Sequence, residues 1–233
     1  MAETTEVLEE KKIKVKEREP LFSKKNKKLI SDPLDENNPI TIQVLGICSA
    51  LAVTVQMKAA VVMSVAVLFV LILANVSISL IRNLIPNRIR IIVQLVVVAA
   101  LVIIVDQVLK AYLFDVSKEL SVFVGLIITN CIIMGRLEAF ALGNKPWPSA
   151  LDAIGNSLGY GMVLVIVSFF KELFGSGKLF GFEIFGNTTE QTGLYAIGYM
   201  DNGLMLLPPS SLILVAVYIW VQKIRNPSLI ESH

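Results

Sequence analysis

Residues Gly125–Arg136 read GLIITNCIIMGR. A short apolar run carries a cysteine near its end and stops at an arginine. The only other cysteine of the chain, Cys48, lies in a second run of the same kind, VLGICSALAVT (Val44–Thr54). The apolar segments that hold them, Ile40–Met57 and Leu120–Met134, have 18 and 15 residues. A helix that crosses a bilayer needs about 20. These two segments therefore read as half-helices or broken segments.

Around them lie four longer runs: Ala59–Ile81, Ile89 to about Leu113, Ile154–Phe170 and Leu204–Val221. The order is short, long, long, then short, long, long. That pattern suggests two repeats of three segments, about 40–113 and 120–222. Three is an odd number of crossings, so the second repeat would be inverted. In inverted repeats, unusually short segments at matching positions mark a functional site near the midplane. Irregular backbone there has to be buried in protein. The expected fold is all-α and integral to the membrane. It has six transmembrane helices as two inverted three-helix repeats, with the first and fourth helices short. The expected domains are a charged N-terminal tail (1–36), a six-helix membrane domain (37–226) and a short C-terminal tail (227–233).

Composition agrees with a membrane protein. Of 233 residues, 55% are hydrophobic, and the mean hydropathy is +0.69. Nine of the 21 Lys and Arg precede residue 29, and the KKNKK cluster (24–28) suits a solvated tail or contact with anionic lipid. With the N-terminus inside, the inner segments hold 16 Lys and Arg and the outer ones 5. The positive-inside rule then puts both termini in the cytoplasm of a multi-pass protein. The N-terminus lacks the apolar region of a signal peptide.

Few residues carry chemistry. Cys48 and Cys131 occupy equivalent places in the two repeats, and inversion would bring them to a common level. Thiolates select iron–sulfur clusters, zinc or copper(I). A cluster usually needs four thiolates, so two would have to come from a partner. Taken singly, each cysteine also reads as a small buried hydrophobe. Asp106 is the one carboxylate within a long apolar run, LVIIVDQVLK, and suggests an ion or proton relay. It also stands four residues before Lys110, the spacing of a helix-surface pair. Asp152, in PSALDAIGN, forms a capping box with Ser149 on this reading, with an ion-linked role as the alternative. Arg136 and Glu138 read as anchors for the end of the fourth helix, and KE at 171–172 as the end of the fifth. The small residues of GNSLGYG (155–161) suit close helix packing. Asn187 matches a glycosylation pattern. No zinc motif, catalytic triad, nucleotide-binding loop or nucleic-acid footprint is present, so no catalytic residue is expected.

Six stretches carry a resemblance: NNPITIQVLGICSALAVT, SLIRNLIPNRIRIIVQ, IVDQVLKAYL, LSVFVGLIITNCIIMGRLEAFA, GNSLGYG and KELFGSGKLFG. Over about residues 36–226 the chain resembles the D-subunit family of the sodium-translocating NADH:quinone reductase. It is also similar to the sister E-subunit family of the Rnf electron-transport complex, where ferredoxin and NAD replace NADH and quinone. The run LGICSALAVT looks more like the quinone-reductase branch.

The resemblance implies a subunit with no activity alone, in a six-subunit complex of the bacterial inner membrane. It implies a homologous E subunit of opposite topology as partner. It also implies a 2Fe–2S cluster shared between the two, with Cys48 and Cys131 as this chain's iron ligands. FAD, FMN and riboflavin are implied on other subunits, and export of Na+ as the coupled event. Charge added at a dry midplane would favour a compensating sodium ion, with Asp106 as the candidate. Two other classes stand beside this one: an inverted-repeat transporter without a redox centre, and a structural scaffold.

Overall fold

A helix that is apolar on every side has no face for water and settles in a membrane or a large core. Met57–Ile81 and Arg90–Tyr112 are such segments, and both are helical. The computed structural model describes residues 24–34, 37–86, 88–112, 125–176, 178–179, 182–183 and 203–225. Asn187, the start of the fourth run, most of the 175–203 loop, most of the N-terminal tail and all of the C-terminal tail lie outside the described residues.

Along the chain come α1 (Lys24–Ser31), a 3-10 turn (Asp32–Leu34), α2 (Ile47–Val53), α3 (Met57–Ile81) and α4 (Arg90–Tyr112). Then come α5 (Cys131–Arg136), which runs into a π-helical segment (Leu137–Ala141), and α6 (Pro146–Ser176). A hairpin of two-residue strands follows, β1 (Lys178–Leu179) and β2 (Phe182–Glu183), antiparallel with Lys178 opposite Glu183. α7 (Gly203–Leu206) and α8 (Pro208–Arg225) complete the order. Among the described residues, three helices are long and apolar enough to cross a membrane: Met57–Ile81, Arg90–Tyr112 and Pro146–Gly175.

α6 is the spine. α3 packs along it, and α1, α7 and α8 also lean on it. Gly161 of α6 faces Ser64 of α3, and the Asn75 amide of α3 donates to the Ser149 carbonyl of α6 at 3.0 Å. The two helices are therefore antiparallel. The core between them holds Val67, Val70, Leu71 and Ala74 from α3 and Tyr160, Val163 and Leu164 from α6. α4 buries only Gln94, Val98 and Val102, one ridge of i, i+4 spacing. Val93, Val97, Leu101, Val105 and Leu109 flank that ridge, partly buried against the core, while Ile91, Ile92, Val96, Ile103 and Ile104 face out of the bundle.

Several expectations are corrected. The first short run is helical only over Ile47–Val53, because 37–46 is folded as turns. The fourth does not stop at Gly135 and Arg136. It is helical at 125–128, breaks at Thr129–Asn130, restarts at Cys131 and continues to Ala141. Arg136 does not end it, since the guanidinium is held by Asp152 rather than by water. The fifth run begins at Pro146, where a proline at the first turn costs no hydrogen bond. Ser149 therefore sits inside the helix with its hydroxyl on the Lys145 carbonyl at 2.9 Å, and the Ser149–Asp152 capping box does not form. The helix also runs past Lys171 and Glu172 to Ser176.

The glycines of GNSLGYG permit the close packing expected of them, but two of the three serve a partner the sequence did not indicate. In lipid, helices gain little from burying apolar surface against one another, so close approach and hydrogen bonds decide packing. Gly161 serves α3. Gly155 and Gly159 instead admit the backbone of residues 29–33, which the sequence placed in a solvated tail. A Cβ at Gly155 would stand 2.5 Å from the Leu29 carbonyl oxygen, and one at Gly159 would strike that of Pro33. Gly155→Ala is expected to cost about 1–3 kcal/mol as an overpacking change. Gly125→Ala, where a Cβ meets nothing within 4 Å, is expected to be neutral. Thermal unfolding of the detergent-solubilised protein checks the contrast.

Candidate two-cysteine site

The site is built on two breaks in helical structure. In the first, residues 37–46, buried Asn38 replaces the missing helix bonds. Its Oδ1 accepts from the amides of Ile40 at 3.0 Å and Thr41 at 3.4 Å. Its Nδ2 donates to the Gly159 carbonyl of α6 at 3.2 Å. Its own carbonyl accepts from the amides of Ile42 and Gln43, and Leu45 donates to Pro39 at 2.7 Å. The chain then turns through two left-handed residues, Val44 (φ 58°) and Gly46 (φ 83°). For β-branched Val44 that conformation is rare and costs about 1–3 kcal/mol. Gly46 is required twice over. Besides its φ, a Cβ would stand 2.9 Å from Cε2 of the Tyr160 ring.

The second break is Thr129–Asn130. Asn130 is the N-cap of α5, and its Oδ1 accepts from the Ile132 amide at 3.3 Å. Cys131 is therefore the first residue of α5, as Cys48 is the second of α2. The two breaks meet. The Gly46 amide, at the N-cap of α2, donates to Cys131 Sγ at 2.8 Å. The two cysteines that the sequence pairs thus lie on facing helix starts.

Ser49 ties the junction. Its hydroxyl donates to the Gly46 carbonyl at 2.8 Å. It accepts from the Tyr160 hydroxyl at 2.6 Å and from Asn130 Nδ2 at 3.4 Å. One proton and two lone pairs are all in use, which completes a hydroxyl's capacity. Ser49, Asn130 and Tyr160 are buried, whereas Cys48 is exposed and Cys131 half-buried. Among the described residues no group of three or more His, Cys, Asp or Glu converges. The chain thus presents two thiols, half of what a cluster usually takes.

The other candidates stand elsewhere. Asp106 Oδ2 pairs with Lys110 Nζ at 2.5 Å along the side of α4, and its Oδ1 is buried with no partner among the described residues. Asp152 takes both Nε (3.0 Å) and Nη2 of Arg136, and Asn156 Nδ2 at 3.1 Å. The side chains of this pair are 14% and 2% exposed. Removing one partner from so buried a pair costs about 3–5 kcal/mol. Glu138, in the π segment, pairs with Arg90 and accepts from Gln94 of α4. Asp152 and Arg136 thus lock α5 to α6, and Glu138 locks it to α4.

Sequence reasoning missed Tyr160, Ser49 and Asn130. The N-cap preference of asparagine was a usable signal for Asn130. Tyr160 had only the general need of a buried tyrosine hydroxyl for a partner. Nothing local marked Ser49.

Residues 26–219 match the family described as Rnf-Nqr subunit, membrane protein. The chain belongs to the Rnf-Nqr family. It is 54% identical over 210 residues to the D subunit of the Na(+)-translocating NADH-quinone reductase of Photobacterium profundum. That alignment covers 90% of this chain and 98% of the relative. The resemblance read from the cysteine runs and their neighbours is thereby supported. The family match also begins within α1, the segment that docks on Gly155. In this Rnf-Nqr protein, Gly46→Ala is expected to push the α2 start off Cys131. Alkylation of Cys131 should then accelerate relative to that of Cys48, measured by maleimide labelling in single-cysteine backgrounds.

Proposed function

We propose that this chain is the D subunit of a sodium-translocating NADH:quinone reductase, a non-autonomous part of an oxidoreductase complex in the bacterial inner membrane. In this reading Cys48 and Cys131 supply two of the four ligands of an intramembrane 2Fe–2S cluster. A homologous subunit of opposite topology supplies the other two. The chain folds as six crossings in two inverted repeats, with α2 and α5 as the half-helices and both termini cytoplasmic. FAD, FMN and riboflavin belong to other subunits of the six.

The observation that carries the reading is the junction of the two half-helix starts, with the Gly46 amide on Cys131 Sγ. Two remote cysteines, each in a short apolar run, are held together by an amide, a serine, an asparagine and a tyrosine. Their depth fits as well. Tyr160, which holds Ser49, stands 14 residues from the start of α6 and 16 from its end. At 1.5 Å per residue those are about 21 and 24 Å. The cysteine junction therefore lies near the middle of a helix long enough to cross a membrane. An iron–sulfur cluster held there by Cys48 and Cys131 would supply one-electron chemistry. The chain's own part is to present two thiols and give one of them a backbone N–H donor.

Iron analysis and reduced-state EPR of the purified complex test this. Cys131→Ser is expected to lose the intramembrane cluster's iron and signal while the complex still assembles. A full iron complement would leave the transporter or scaffold reading standing. Na+ coupling is the second part. Asp106→Asn is expected to weaken sodium-dependent turnover of the assembled complex. Unchanged sodium dependence and turnover would remove Asp106 from the coupling.

A further inference from the structure

Lys171 and Glu172 have no part in the two-cysteine site, yet both are buried on α6. Lys171 is fully buried. Its Nζ donates to Ser211 Oγ of α8 at 2.8 Å and to the Leu207 carbonyl at 3.5 Å. Ser211 Oγ stands 3.3 Å from Thr54 Oγ1, which donates to the Ala50 carbonyl at 2.5 Å. The direction of the row follows from its ends. An ammonium only donates and a carbonyl only accepts. The single hydroxyl proton of Thr54 is on Ala50, so Ser211 donates to Thr54, and a Ser211 lone pair takes Lys171. The row runs from the buried cation to the last turn of α2.

Glu172 does the converse one residue on. Its Oε2 accepts the Met57 amide at 2.6 Å, at the start of α3. A helix is partly negative at its carbonyl end and partly positive at its amide end. The cation is thus linked to the end of α2 and the anion touches the beginning of α3. One pair of neighbours on α6 holds the turn Thr54–Gln56 from both sides.

We propose that Lys171 is a positioning residue: through Ser211 and Thr54 its ammonium pins the carbonyl end of α2 and so sets where Cys48 stands relative to Cys131. The inference rests on the reading of these cysteines as a ligand pair. α2 has only seven residues, about 10 Å, and Cys48 lies six residues before Thr54. So short a helix moves as one body. Gly46 on Cys131 holds its amide end, and the row from Lys171 holds the other. If the second hold is released, α2 pivots about the first, and Cys48 turns with it.

The test compares Lys171→Met, Lys171→Arg and Thr54→Val in the purified, assembled complex, with Cys131→Ser as the control for the underlying reading. Lys171→Met and Thr54→Val are expected to retain iron but to shift the cluster's EPR g-values and midpoint potential. Lys171→Arg, which keeps a charged donor, should stay closer to the unmodified complex. If Lys171→Met does not assemble, Thr54→Val decides, because it removes a single hydroxyl at nearly constant volume. An unchanged spectrum and potential in the assembled variant overturns the positioning role. If Cys131→Ser meanwhile loses iron, only that role has failed. If Cys131→Ser keeps its iron, the ligand reading itself has failed, and the inference falls with it.

Discussion

A backbone amide that leaves a helix inside a bilayer has no water to bond, so it must find an acceptor in the protein. Among its described residues the chain leaves helical structure at 37–46 and at 129–130, and it solves both with an asparagine. Asn38 and Asn130 each turn the side-chain carbonyl back onto the amides that follow. Each sends its amide group to a neighbouring element, Gly159 for Asn38 and Ser49 for Asn130. The same device at both breaks is what lets the chain start two helices deep in the fold. The cysteines sit in the first turns of those helices.

α6 is where these demands meet. Gly159 receives Asn38, and the next residue, Tyr160, receives Ser49. Toward one end, Asp152 takes Arg136 and so fixes the helix that starts at Cys131. Toward the other, Lys171 and Glu172 hold the turn that follows the helix carrying Cys48. A 31-residue helix with polar stations at 152, 160 and 171 works as a ruler for the site. Its glycines answer the same need. They do not loosen the helix but let the backbone of 29–33 lie against it, which covers one flank of the spine.

Much of this was legible in the chain, and the illegible parts share a cause. The long spans could be read because an apolar helix with no polar face needs no tertiary information. The matching short runs pointed to the two helix starts that meet where the Gly46 amide donates to Cys131. Asp106 and Lys110 form the pair that i, i+4 spacing suggests. The errors came where tertiary contacts change what a charged or small residue means. Arg136 and the Lys171–Glu172 pair looked like water-facing ends of helices. Each is a buried tie between elements, so the helix runs on through it. Ser149 looked like a cap because Pro146 was not seen to start the helix. Gly155 and Gly159 gave no hint of which element they admit, since a glycine records only that something comes close.

The exposure of Cys48 bears on what the cysteines are for. A cysteine that merely fills a core would be buried, and it would ask nothing of its neighbours. Here Ser49, Asn130 and Tyr160 are buried and hydrogen-bonded while the Cys48 thiol is open. Gly46 and Val44 adopt left-handed backbone to bring the start of α2 onto Cys131. Ser49 uses every bond it has, and each of those bonds is dry. Unsatisfied, such groups would cost several kcal/mol in a membrane interior, on the order of the whole stability of a small domain. Packing two small side chains does not call for that arrangement. It serves, in the proposed reading, to present two sulfur atoms on a face left open. In the proposed reading, a closed four-ligand site would leave no place for a second subunit, and the electron path would end inside a single protein instead of running between two.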